Sequence, residues 1–550
     1  MKKIVKLLLF FFIAHSAFAT GDKTNDPNVN PLDLEFQRLA VRRFIFSNNL
    51  DLNEFLPSEI VSFKSMHPAF CVSDNEDRKC DEKFASKIVH GKLCLDNTCG
   101  SAPTSIYVGG VNPYATYELD VESISHVGAE PVEVGIELAK KSLRDRVQII
   151  ARSSQEKSGV FVRLYKNAKL EQEYCYSNSL PEGAFQLHVQ LYGNALGVFV
   201  KQHGETKYLG HILSDKNFGN IIDFRRLDTF SKSTFNIVSN LKGNVLINKA
   251  SSYLSTGVGQ ADIRLISYED LSPYMDDGRL WFTFSCRGLD ISQSAQGVLS
   301  LDPSLFDVRF EGVIVFDHGD GLLRNDYASH LFYDRNEKEW HAYVSDFGGS
   351  FQMDKRSDTG LVVARSSKDP RRGFSVMQGK RVELTSIEGH NEDPCIFFDN
   401  KAGKWRLLTS AFIDGDIVSR TYESDSWDGK FTPVAMPIKM NSTGTSIQKI
   451  GNSYYALMGG HTNLRVHSYP DLALLGELNM DLQPHWPNYA GRVWASVVPL
   501  PKGYPYRYVL LTMDRPNFPG VKGANWSYGA FYFYGANPKD ISSDAYEFNR

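Results

Sequence analysis

The sequence predicts an all-β protein, an N-terminal β-sandwich followed by a five-bladed β-propeller. Three observations carry this expectation. Helical periodicity is nearly absent across the 550 residues. From about residue 101, apolar and polar positions alternate in short runs broken by turn residues. From about residue 260, a unit of four strands with aromatics recurs about every 45–65 residues, as propeller blades do.

The first element stands outside the fold. "MKKIVKLLLFFFIAHSAFAT" joins a Lys-bearing start to an apolar core and a small-residue site at Ala17–Ala19. This predicts a cleaved signal peptide over 1–19 and an exported protein, periplasmic or secreted. No later stretch is long and apolar enough for a membrane span, so no membrane partner is expected. Residues 20–100 form a Cys-containing segment. In it, "PLDLEFQRLAVRRFIF" has apolar positions at three-to-four spacing and reads as a helix. Cys71, Cys80, Cys94 and Cys99 follow in polar, loop-like sequence. An oxidising compartment favours two local disulfides there, Cys71–Cys80 with Cys94–Cys99 being one of three pairings, and a zinc site is the rival. Cys175, Cys286 and Cys395 lie in apolar or strand-like runs and are expected as buried thiols.

Residues 101–215 carry the sandwich, in runs such as "VEVGIELA", "RVQIIARSS" and "GVFVRLYKNAKLEQEYCYS". The stretch "FQLHVQLYGNALGVFVKQ" resembles the strand–turn–strand of laminin-G/concanavalin-like sandwiches, modules that bind glycans or brace a catalytic domain. Residues 216–254 read as a linker. Over 255–550, five blades begin in turn at "ADIRLISYEDLSPYMDDGRLWFTFSCRG", "ASHLFYDRNEKEWHAYVSDFG", "GHNEDPCIFFDNKAGKWRLLTSAF", "TSIQKIGNSYYALMGG" and "WASVVPLPKGYPYRYVLLTM". The first strand of a blade is innermost. Its start faces the central funnel, so Asp262, Ala328, Asp393, Thr443–Thr445 and Ala495 should ring one pocket.

This blade grammar resembles the five-bladed propeller glycosidases of families 43, 32 and 117, and the related family 130 phosphorylases. The resemblance covers a little over half the chain. Family 43 enzymes show "DP", "AP", "DP" and "EGP" at the first four strand starts. Here those places read Asp262, Ala328, Asp393–Pro394 and Thr443–Thr445. The resemblance implies an inverting glycoside hydrolase with Asp262 as the base that activates water. Asp393 becomes the carboxylate that orients the acid and raises its pKa. The departure lies in blade four, where Thr443 replaces the acid. Family 117, thought to use a histidine, points to His461 as a substitute, with Glu392 and His390 of "GHNEDP" as further candidates. The "EDP" phrase also resembles family 130, although Cys395 stands where a basic residue is expected. Asp326, Arg264, Arg492, Trp494 and Thr443 are candidate substrate contacts, Arg through its fork and Trp by stacking. By the same resemblance the channel has room for a structural Ca2+, with His330 as candidate ligand; no other cofactor is required.

A net charge of −4 with no basic stripe argues against a nucleic-acid partner. Walker, GxSxG and HExxH patterns are lacking, which turns the reading away from nucleotide, serine-hydrolase and zincin chemistry. A glycosidase acting on a polysaccharide or oligosaccharide is therefore the leading expectation. A non-catalytic glycan-binding propeller, a phosphorylase and a polysaccharide lyase remain alternatives.

Overall fold

The structure, a computed structural model, describes residues 28–44, 46, 48–55, 85–97, 103–212, 218–289, 293–348, 359–385, 389–434, 436–460, 463–484, 486, 494–514 and 529–539. The expected signal peptide and Cys71, Cys80 and Cys99 lie outside them. The fold is all-β, a sandwich and a five-bladed propeller. Among the described residues no helix is long and apolar enough to cross a membrane.

The sandwich packs a six-stranded antiparallel sheet, with Val132–Lys140 and Arg146–Ser153 central, against a larger sheet built on Thr116–His126, Phe185–Tyr192 and Gly243–Ser255. Strict alternation makes this possible. Leu119 and Val121, Leu187 and Val189, and Val134 and Ile136 all turn to one fully buried core.

Each blade is an antiparallel run of four strands. The inner strands are Gly259–Leu265, Tyr327–Asp334, His390–Asp399, Ser446–Ile450 and Ser496–Pro499. Each lies against the next, and the fifth returns to the first, which closes the ring. Closure removes the open face that a lone twisted sheet would expose.

Four expectations are corrected. The segment read as a helix is a three-residue 3-10 turn, Pro31–Asp33, followed by the strand Glu35–Arg42. That strand pairs antiparallel with Phe531–Ala536 and supplies the outermost full strand of the fifth blade. The span 216–254 is no linker. It holds two short helical turns and two long sandwich strands, Ser233–Asn240 and Gly243–Ser255. Cys94 is a free, buried thiol. It sits inside the extended strand Lys92–Asn97, which carries the chain away from it, so the Cys94–Cys99 pairing does not form. Cys175 is free but exposed, because its strand, Lys169–Ser177, is the edge of the six-stranded sheet. Cys286 and Cys395 are buried as expected.

Candidate active site

Three inner strands carry the same irregularity. In blades one, two and three, one extra residue bulges between Ala261 and Arg264, Tyr327 and His330, and Glu392 and Cys395. The bulged residue takes left-handed backbone in each case, with φ of 54° at Asp262, 59° at Ala328 and 55° at Asp393. These three positions are therefore equivalent in the fold. A bulge re-aims the side chain that follows the regular pleat, and Asp tolerates this conformation better than most residues. Two of the three places thus present a carboxylate at the funnel.

The two carboxylates have different surroundings. Asp262 Oδ2 accepts from Ser285 Oγ at 2.6 Å and from the Arg287 guanidinium at 2.8 Å. Arg287 in turn lies over the Tyr327 ring, 4.5 Å from its centroid. Among the described residues, Asp262 Oδ1 takes no hydrogen bond, and its side chain keeps 12% of its exposure. Asp393 Oδ2 accepts from the Gly444 N–H at 2.7 Å, while its own N–H donates to Ser345 Oγ at 2.8 Å. Burial, and then the neighbouring charge of Asp262, push the Asp393 carboxyl up to about 7, against the downward pull of Arg264, the Gly444 N–H and Arg287. Burial also raises the Tyr327 phenol to about 12, with Asp262 and Glu392 adding to it and Arg287 opposing. The site therefore pairs a carboxylate tied to a guanidinium with a carboxyl that keeps its proton near neutrality.

Arg264 lies beneath this pair. Its guanidinium donates to the carbonyls of Asp393 at 3.4 Å and Thr445 at 3.0 Å, and it lies over the Trp494 indole at 4.3 Å. Both side chains are buried, so they act as the floor of the site. Thr443 is buried too; its neighbour Gly444, at φ 69°, supplies the N–H that reaches Asp393. A Cβ on Gly444 would overlap the Trp494 indole, so the blade-four turn needs glycine.

Other expected residues sit elsewhere or in other roles. Asp326 is fully buried and accepts from His318 Nε2 at 3.1 Å and the Gly348 N–H at 2.8 Å. Glu392 is half-buried on the strand beside Asp393, close enough to raise the Tyr327 phenol, and His390 is half-buried at the start of that strand. His461 and Arg492 lie outside the described residues.

The channel does not fit the Ca2+ expected there. His330 is buried, with Nδ1 accepting the Ile396 N–H at 3.1 Å and Nε2 3.2 Å from Ser267 Oγ, so both ring nitrogens are taken. The cavity around it is lined by Arg264, Lys449, Ser267, Ser446, Gln448 and Cys395 beside apolar groups, without a carboxylate. A hard cation needs oxygen ligands, and a buried guanidinium repels it.

No protein-family model matches this sequence, and no curated protein matches it significantly. Solved structures do resemble it. The xyloglucan PUL GH43B of Bacteroides ovatus is 14% identical at a TM-score of 0.25, over 32% of this chain and 35% of that one, so this chain spans about a third of its length. A family 117 glycoside hydrolase from the marine bacterium Zobellia galactanivorans is 10% identical at 0.36, over 51% of this chain and 84% of that one. A legume lectin-like domain from Entamoeba histolytica is 10% identical at 0.25, over 31% and 87%. Likeness at these scores bears on no residue of the funnel.

Sequence reasoning missed Ser285, Arg287 and Ser345. All three lie on the second strand of a blade; Ser285 and Ser345 face the residue just before a bulge, and Arg287 faces Gly259 at the end of the same strand as Ser285. Their signal was the register: Ala261 faces Ser285 and Tyr327 faces Ser345.

Proposed function

We propose that this chain is a glycoside hydrolase acting on a polysaccharide or oligosaccharide, with Asp262 as base and Asp393 as the proton-bearing carboxyl. The observation that supports this is the unequal pair at equivalent bulges of blades one and three. Cleavage of a glycosidic bond needs one carboxyl that holds a proton and one that has lost it, flanking the anomeric centre. Asp262, ion-paired with Arg287, suits the second role and leaves Oδ1 for a water. Asp393 suits the first, since burial and Asp262 keep its proton on. It thereby stands in for the acid that Thr443 replaces. Inversion is the expected course. Thr443 also lends support to a second reading, a glycan-binding propeller without catalysis, because a threonine hydroxyl holds its proton at neutral pH.

The test is release of sugars from a panel of plant and marine polysaccharides and oligosaccharides by the purified protein, with Asp262→Asn and Asp393→Asn beside it. Both variants should fold and lose at least about a hundredfold in rate, and the first-formed anomer seen by NMR should be inverted. Turnover that survives either substitution would sink the assignment. Glycan binding without release from any substrate would favour the lectin reading.

A further inference from the structure

We propose that the hairpin between the first two strands of blade two holds a divalent transition metal of the zinc class through Glu337, Glu339 and His341. Glu339 and His341 are alternate residues of the strand Glu339–Ser345 and so share a face. Glu337 reaches the same place from the turn. One ligand atom from each of the three lies within 4.8 Å of the others. His341 has no solvent exposure, and neither ring nitrogen has a hydrogen-bond partner among the described residues. Its Nε2 lies 3.3 Å from Glu337 Oε2, outside hydrogen-bond geometry. Two atoms bound at about 2.1 Å to one tetrahedral ion stand about 3.4 Å apart. The observed separation is that of ligands rather than of a donor and an acceptor.

The surroundings favour a cation. Asp334 and Asp428 add negative charge close to Glu337. Of the nearby cations, Lys380 pairs with Asp428 at 2.7 Å; Arg365, the cross-strand partner of His341, shares its face and is, among the described residues, the one positive charge a bound ion would have to tolerate there. Trp427 fixes two of the ligands in advance. Its ring lies 3.9 Å from that of His341, and its Nε1–H donates to both Glu337 oxygens at 3.1 Å. One imidazole with two carboxylates suits zinc and its neighbours better than Ca2+ or Mg2+, which prefer oxygen alone. Glu337 is 47% exposed, so a water can complete the shell.

The chain, stripped with a chelator, is titrated with ZnCl2 by calorimetry, with CaCl2 as comparison. Wild type should bind a Zn2+ equivalent with a Kd of roughly 10 μM or tighter and melt at a higher temperature with the ion present. The Glu337→Gln, Glu339→Gln double variant should lose that equivalent and keep the metal-free Tm. His341→Gln should also lose it; because this residue is buried, the surface double variant is the deciding one. Absence of stoichiometric Zn2+ binding, an unchanged Zn2+ affinity in the double variant, or tighter binding of Ca2+ than of Zn2+ would overturn the assignment.

Discussion

Asp393 is a carboxyl whose ionisation the fold resists, and this fixes a sign. Its folded pKa, about 7, lies above the ordinary 3.8. Between these values the folded chain binds more protons at this site than the unfolded chain does. The contribution to stability is therefore complete below about pH 4 and is lost as pH rises toward and through 7. Asp393→Asn, which cannot ionise, should raise the Tm at pH 8 relative to wild type, and the difference should close toward pH 4; thermal melts across that range check it. Turnover should fall with the same proton, so rate above pH 7 should decline with one apparent ionisation that the pair shares. Gly444 gives a second prediction. Gly444→Ala places a Cβ against Trp494 in left-handed backbone and should cost about 1–3 kcal/mol, read by denaturant unfolding. Asp262 and Asp393 were legible because the strand-start phrase repeats. The Gly444 N–H and Arg287 were not, because a repeat marks where strands begin and says nothing of which cross-strand group reaches back.

The misread helix shows what governs an element. In "PLDLEFQRLAVRRFIF" the apolar residues satisfy a helical spacing, yet Leu34 and Phe36 are also alternate positions and both are buried. The outcome is decided by a partner almost five hundred residues away, Phe531–Ala536, whose free edge the segment pairs with. Local pattern cannot carry that information, since β-propensity depends on the neighbour. The first four blades, by contrast, were legible because each is built from hairpins local in sequence. Phe36 packs with Leu457, Leu510 and Tyr534 in one core. Phe36→Ala should cost about 3–5 kcal/mol and should loosen the fifth blade first, seen as faster amide exchange over 531–536 than over 390–399.

At the scale of the whole molecule, the chain enters the propeller, leaves it to build the sandwich, and returns. Glu35–Arg42 belongs to the fifth blade, whereas Asn49–Phe55 already pairs with the sandwich strand Gly243–Ser255. The two bodies also share apolar packing: Tyr114, Tyr192 and Leu254 join Phe284, Leu323 and Phe531 in one cluster, and the Tyr114 hydroxyl donates to the Leu323 carbonyl at 2.8 Å. A sequence repeat locates the propeller at 255–550 but does not show that its fifth blade is completed from outside that span. The consequence is testable. A chain of residues 255–550 alone presents an unpaired edge at Phe531–Ala536 and exposes the apolar face of Phe36's partners, an edge that invites aggregation. It should be insoluble or associate on size-exclusion chromatography. The same chain with residues 28–44 co-expressed as a separate segment should recover a soluble monomeric complex. If 255–550 alone gives a monomer that melts at the temperature of the full chain, the first strand is an ornament to the fifth blade and not its closure.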